Sequence, residues 1–215
     1  FRAYFRTRNL ITSRRVDLVV LIDYPGFNIR MAGVASRTGV PVIYYISPQV
    51  WAWKAWRVRL LAKRVRKMLV VFPFEEEIYR RAGLPCEFVG HPLMDDYQEF
   101  LARHPYSQAE QKRLYGLDPD RPVVGIFPGS RESEVSSMLN LFFEAARKIR
   151  SAHPRIQFLL AVAPTLNRRN LETAFGGVSD LDVRWVEADP HGVLLASDAV
   201  MATSGTITLQ AAIHE

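Results

Sequence analysis

A single cysteine, Cys86, stands among 215 residues, so no internal disulfide can form and a reducing compartment is expected. No stretch reaches the ~18 to 20 apolar residues that a membrane-spanning helix needs. The opening "FRAYFRTRNL" is basic but lacks the apolar core of a secretory signal. The five histidines show no metal-ligand spacing. Neither a metal nor another cofactor is therefore expected. There is no Ser-His-Asp arrangement to argue from, no internal repeat and no low-complexity tract. Acid is also in deficit: 28 Lys and Arg face 22 Asp and Glu, a net charge of +6 and a pI near 9.7, which favours an anionic partner. The chain begins with Phe rather than Met and closes on "TLQAAIHE", a helical pattern without a stop signal, so a fragment lacking both ends is expected.

What is present alternates. With 48% hydrophobic residues the chain can bury a sizeable core. Short, nearly continuous apolar runs read as strands at 16–22, 41–46, 67–72, 86–90, 121–127, 155–162, 182–186 and 198–202. Helical patterns fall between them at 28–37, 54–66, 74–82, 131–151, 167–175 and 206–214. Strand–helix alternation implies parallel sheets covered by helices, an α/β fold. The alternation pauses in a polar, Pro-punctuated stretch. It divides the chain into a first domain at 1–96, a connector at 97–120 and a second domain at 121–215. The cleft between the two domains is the default ligand site.

Ligands of open parallel sheets bind beyond the carboxyl ends of the strands. After the first strand comes "IDYPGFN", where Asp23 can take a proton from a substrate hydroxyl or, alternatively, bond turn and helix N–H groups. After the fifth comes "FPGSRESE": Gly129, Ser130 and Arg131 at a helix start suit a phosphate. An ordinary cap with Ser130 at the N-cap fits as well. After the last comes "TSGTITLQ", where Ser204, Gly205 and Thr206 offer hydroxyls and N–H groups at a second positive helix end, again unless they merely cap it. His91 follows a strand, where it can contact a ligand or serve a hinge, and Glu75, Glu76 and Glu77 sit in a helix first turn without a catalytic role.

Between Ser47 and Lys67 the chain carries three tryptophans, seven Lys or Arg and no acid. Val58, Leu61, Ala62 and Val65 form one apolar face, leaving Lys54, Arg57, Arg59, Lys63, Arg64 and Arg66 on the others. Trp51, Trp53 and Trp56 beside these cations fit an anionic bilayer surface or single-stranded nucleic acid; core tryptophans under a solvated basic face are the plain alternative.

Taken together and in this order, "IDYPGFN", "YYISPQVWAW", "PFEEEIYRRAGLPCEFVGHPLMD", "PGSRESEV" and "TSGTITLQAA" resemble the lipid-A-disaccharide synthases of Gram-negative bacteria, from about Arg14 onward. The resemblance implies a GT-B type glycosyltransferase built from two Rossmann-like domains, the second incomplete here, and an inverting transfer without metal. UDP-2,3-diacylglucosamine would be joined to 2,3-diacylglucosamine 1-phosphate (lipid X) by a β(1→6) bond, with release of UDP. It further implies Asp23 as base, Arg131 as a catalytic cation and UDP contacts from Gly129, Ser130, Ser204, Gly205, Thr206 and Gln210. Asn28, Trp51, Trp53, Trp56, Arg57, Arg59, Lys63 and Arg64 would serve the acceptor and the cytoplasmic face of the inner membrane, with no nucleic acid as partner. Two positions depart from the family pattern: Gln210 replaces a usual Glu, and Gly26 replaces an Asp. A nucleotide-sugar epimerase of the same fold and a basic nucleic-acid-binding module are the competing readings.

Overall fold

The computed structural model describes residues 2–13, 16–175 and 180–214. The chain forms two compact units, one up to Pro92 and the other from Leu93 on. Each contains one four-stranded, wholly parallel sheet.

In the first unit β1 (Val19–Ile22), β2 (Val42–Tyr45), β3 (Lys67–Val70) and β4 (Cys86–Phe88) lie side by side in chain order. The helices are α1 (Arg2–Ser13), α2 (Pro25–Arg37), α3 (Arg57–Ala62) and α4 (Glu75–Arg81). Met31, Ala32, Ala35, Tyr44, Leu61, Met68, Val70 and Tyr79 are fully buried among them. Each such side chain contributes roughly 1.5–3 kcal/mol relative to exposure when it is of Leu or Met size.

In the second unit β5 (Val123–Phe127), β6 (Gln157–Val162), β7 (Val183–Glu187) and β8 (Ala199–Ala202) take the order β7-β6-β5-β8. Alternation along the strands sorts the core into two layers. Val124, Ile126, Phe158 and Leu160 pack against Val135, Leu139 and Phe143 of α7 (Glu132–Ala152). Val123, Phe127 and Leu159 meet Val193, Leu194 and Ala196 of α9 (Pro190–Ala196) on the opposite face. The remaining helices are α5 (Pro92–Arg103), α6 (Gln108–Leu114), α8 (Arg168–Phe175) and α10 (Thr206–Ile213).

All eight expected strands form; seven are trimmed by one to three residues, and the expected 182–186 is shifted by one residue to β7. The stretch 97–120 differs from its expectation as a connector. It holds most of α5 and all of α6, and these belong to the second unit, whose boundary falls at Leu93 rather than after residue 96. Ser107 caps α6: its hydroxyl accepts the Glu110 N–H at 3.3 Å, and the Glu110 carboxylate accepts the Ser107 N–H at 2.8 Å. Lys112 then reaches Asp198 at 2.9 Å, fixing α6 to the sheet.

Candidate functional site

The carboxyl ends of β5, β6 and β8 open onto one cavity of about 360 Å³ in the second unit. Its floor begins at Phe127, whose carbonyl accepts the Thr203 N–H at 3.0 Å, so the loops after β5 and β8 leave the sheet side by side. One wall is Gly129, Ser130 and Arg131; the facing wall is Ser204, Gly205 and Thr206, with Gln210 one turn along α10. Every second-unit residue singled out from sequence as a phosphate or nucleotide contact lines this cavity. Glu134, Thr203 and Ile207 also line it, and the further lining from Ala161–Pro164 and Pro190 carried no motif and was not foreseen. The first amides of α10 have no intrahelical acceptor, so the turn 204–206 presents donors there.

The loop after β5 is shaped by a side-chain contact and by its backbone conformation. The Thr165 hydroxyl donates to the Ser130 carbonyl at 2.6 Å. Gly129 takes φ 118°, a conformation side chains rarely adopt. The N-cap of α7 is Arg131, not Ser130. Glu134 closes the turn: its carboxylate accepts the N–H groups of Ser130 at 3.2 Å and Arg131 at 3.3 Å, and pairs with the Arg131 guanidinium. The Arg131 hydrogen bond, followed by the Ser130 N–H, holds the Glu134 carboxyl below the usual carboxylate range.

In the first unit Asp23 directly follows β1 and is exposed. Asp23 and Tyr24 both take left-handed backbone, φ 46° and 42°, before Pro25 opens α2. Strain of this kind, of order 1–3 kcal/mol per residue, persists only where neighbours enforce it. Here the Asp23 carbonyl accepts the Tyr44 hydroxyl at 2.7 Å and the Asn28 amide at 2.6 Å, and the same amide also donates to Ile22 at 2.8 Å. Asn28 is buried. Both of its amide hydrogens are spent on backbone, so it braces Asp23 instead of meeting an acceptor as expected. Burial pushes the Tyr44 hydroxyl well above its ordinary range, and the nearby Asp23 adds to that.

Trp51, Trp53 and Trp56 are 48, 55 and 63% exposed, which removes the reading that placed them in the core. Lys54 lies 4.3 Å from the Trp53 ring, and the Arg57 guanidinium lies 5.3 Å from Trp53 and 5.8 Å from Trp56. Arg59 and Lys63 are exposed. Arg64 departs from the expected surface role: it lies along α2, its guanidinium 3.1 Å from the point where a Gly33 side chain would begin, and donates to the Ile29 carbonyl at 3.2 Å.

Glu75, read from sequence as one of three first-turn acids, is 1% exposed. Its Oε1 accepts the Ser47 hydroxyl at 2.8 Å and the Trp51 indole N–H at 3.3 Å, and its Oε2 accepts the Phe72 N–H at 3.3 Å. Burial raises its pKa, against these hydrogen bonds. One carboxylate thus anchors the segment that carries the tryptophans. His91 packs its ring 5.3 Å from Phe72, and burial lowers its pKa. Among the described residues no group of three or more His, Cys, Asp or Glu could hold a metal ion, and no helix is long and apolar enough to cross a membrane.

Comparison with known proteins adds two findings. Solved structures share the fold at low identity. A UDP-GlcNAc 2-epimerase from Neisseria meningitidis bound to UDP-GlcNAc matches with TM-score 0.62 and 12% identity, over 95% of this chain and 59% of that one. S. aureus MnaA, in a co-structure with UDP, matches with TM-score 0.66 and 13% identity, over 99% of this chain and 59% of that one. The two units are thus Rossmann-like units of the GT-B kind. At the level of sequence, lipid-A-disaccharide synthases of Geobacter sulfurreducens and Geobacter metallireducens are each 43% identical over 99% of this chain and 54% of their own length. The enzyme of Coxiella burnetii is 39% identical over 93% of this chain. The chain spans about half the length of the curated relatives it matches. The family model for lipid-A-disaccharide synthetase matches residues 2–215, and the chain belongs to that family.

Proposed function

We propose that the chain is part of an inverting glycosyltransferase of lipid A biosynthesis. It joins UDP-2,3-diacylglucosamine to 2,3-diacylglucosamine 1-phosphate by a β(1→6) bond and releases UDP. The observation that carries the reading is the convergence of 129–131 and 204–206, two loops distant in sequence, on one cavity within a member of this family.

The acceptor 6-hydroxyl attacks the anomeric carbon of the donor while the bond from that carbon to the β-phosphate oxygen breaks. Asp23 accepts the hydroxyl proton as the new bond forms. The departing diphosphate gathers charge, which the Arg131 guanidinium, the amides after β5 and the Ser204 and Thr206 hydroxyls offset. Gln210 accepts a hydrogen bond from the nucleotide sugar as the usual Glu would, without its charge. Trp51, Trp53 and Trp56 with Arg57, Arg59 and Lys63 rest on anionic lipid at the cytoplasmic face of the inner membrane, where the acylated substrates reside. No metal takes part in this scheme.

The test is acceptor-dependent UDP release by the intact protein. Asp23→Asn is expected to lower turnover by at least about 10³-fold with UDP affinity nearly unchanged. Wild-type turnover by this variant would remove Asp23 as base. The epimerase-like fold favours a second reading, which a different outcome would reveal: conversion of a UDP-sugar in the absence of any lipid acceptor. Binding of the basic surface to single-stranded oligonucleotide in preference to anionic vesicles would overturn the membrane assignment.

A further inference from the structure

We infer that Glu134 is the resident occupant of the anion seat in the second-unit cavity, a competing carboxylate that an incoming diphosphate must displace. The inference rests on the nucleotide reading above. A phosphate entering between the two loops would seek the N–H groups of Ser130 and Arg131 and the Arg131 guanidinium. All three are spent on Glu134. Its Oε2 takes both amides, at 3.2 and 3.3 Å, and its Oε1 takes the guanidinium. The loop is folded close around this carboxylate: a side chain begun at Gly129 would come within 2.8 Å of Oε2.

An ordinary capping box explains only part of this. It requires the N3 acid to accept one N–H, that of the N-cap residue. Glu134 also engages the amide before the N-cap and the Arg131 guanidinium on the cavity wall, and it lines the cavity itself. Its side chain is 35% exposed and the Arg131 side chain 76%, so rotation into solvent needs no repacking of the core. An exposed carboxylate pair of this kind is weak. A diphosphate brings more charge and more acceptor oxygens to the same donors and prevails. A neutral sugar or a nucleoside has nothing with which to replace the carboxylate. The seat is therefore closed to uncharged ligands and open to diphosphate esters.

Calorimetric titration of the intact protein with UDP, and with uridine as the uncharged probe, tests this. Glu134→Gln keeps the accepting oxygen and the volume while removing the charge. The UDP Kd is expected to fall about three- to tenfold in this variant, with uridine binding unchanged. Arg131→Ala should then cost more UDP affinity in the Glu134→Gln background than in the wild type, since no carboxylate competes for the guanidinium. Should Glu134→Gln fail to fold, Glu134→Ala is expected to shift UDP affinity in the same direction. Equal or weaker UDP binding by the folded variant would overturn the inference and leave the nucleotide site standing. Absence of UDP binding by wild type and variant alike would remove the nucleotide site and the inference with it.

Discussion

Glu75 is where a single side chain holds most. Truncating it would leave the Ser47 hydroxyl, the Trp51 indole N–H and the Phe72 amide without their shared acceptor. Glu75→Ala is expected to destabilise the first unit by about 2–4 kcal/mol, measured by urea unfolding. Glu77→Ala, on the exposed side of the same turn, should change stability by less than about 0.5 kcal/mol. The difference between these acids was readable in principle. Successive helical residues advance by 100°, so three in a row cannot share one environment. Glu75 stands four residues before Tyr79, the buried residue of that helix, and so faces inward with it. Arg131 was expected beside a ligand because strand ends are where ligands bind, and it does line the second-unit cavity. Arg64 was misread because charge alone does not tell a surface contact from a backbone brace. Gly129 offers a second residue-scale prediction. At φ 118°, with the Glu134 Cβ 2.9 Å from where an alanine methyl would sit, Gly129→Ala strains the loop. It is expected to weaken UDP affinity by about tenfold or more in calorimetry.

At the scale of elements, β5 and β6 were evident as continuous apolar runs because they are buried along nearly their whole length and need no alternation. By contrast, β1, β4, β7 and β8 keep exposed positions and stood out by their short, mostly apolar runs between helical patterns. The helices α1, α5, α6 and α9 were not foreseen. The capping signal Ser107–Glu110 was present, but the surrounding polar, Pro-rich sequence outweighed it. α9 combines a good start, Asp189 then Pro190, with Gly192 in its first turn, which argues against a helix by propensity. The structure gives the reason for that glycine. A Cβ there would stand 2.1 Å from the Tyr115 hydroxyl, 2.3 Å from an Asp189 carboxylate oxygen and 2.6 Å from the Gln111 amide nitrogen. α6 and α9 thus meet through the space a side chain would fill, closed by the Tyr115–Asp189 hydrogen bond at 2.5 Å. Gly192→Ala is expected to cost about 2–4 kcal/mol, seen as a lower melting temperature, although alanine is the better helix former.

The whole second unit is tied together by a chain of three titratable groups. The Asp96 carboxylate of α5 lies 2.9 Å from His191 Nε2 of α9, and His191 Nδ1 lies 2.8 Å from Nε2 of His214, just beyond α10. Tyr97 and Phe100 pack around the rings, and His104 stacks on Phe100 from the far side. Burial, then the neighbouring His191, lowers the His214 pKa from 6.5 to about 4. Between those values the unfolded chain binds the proton and the folded chain does not. Stability is therefore complete above about pH 6.5 and declines as pH falls toward 4, by about 1–3 kcal/mol from this group. Urea midpoints near pH 7.5 and near pH 5 should separate in the wild type and converge in His214→Gln. Nothing in the sequence signalled the cluster, since residues 96, 191 and 214 meet only through tertiary packing.

The pairing of β8 with β5 joins Val124 to Ala199 and Phe127 to Ala202, strands separated by the whole of α7, β6, α8, β7 and α9. Closing so long an intervening chain is entropically costly, so this edge is expected to zip up late in folding and to open early. A molecule touching both 129–131 and 204–206 would rivet the seam. Hydrogen exchange of the β8 amides should slow on addition of UDP while that of the β7 amides stays unchanged, making the edge strand an internal gauge of occupancy.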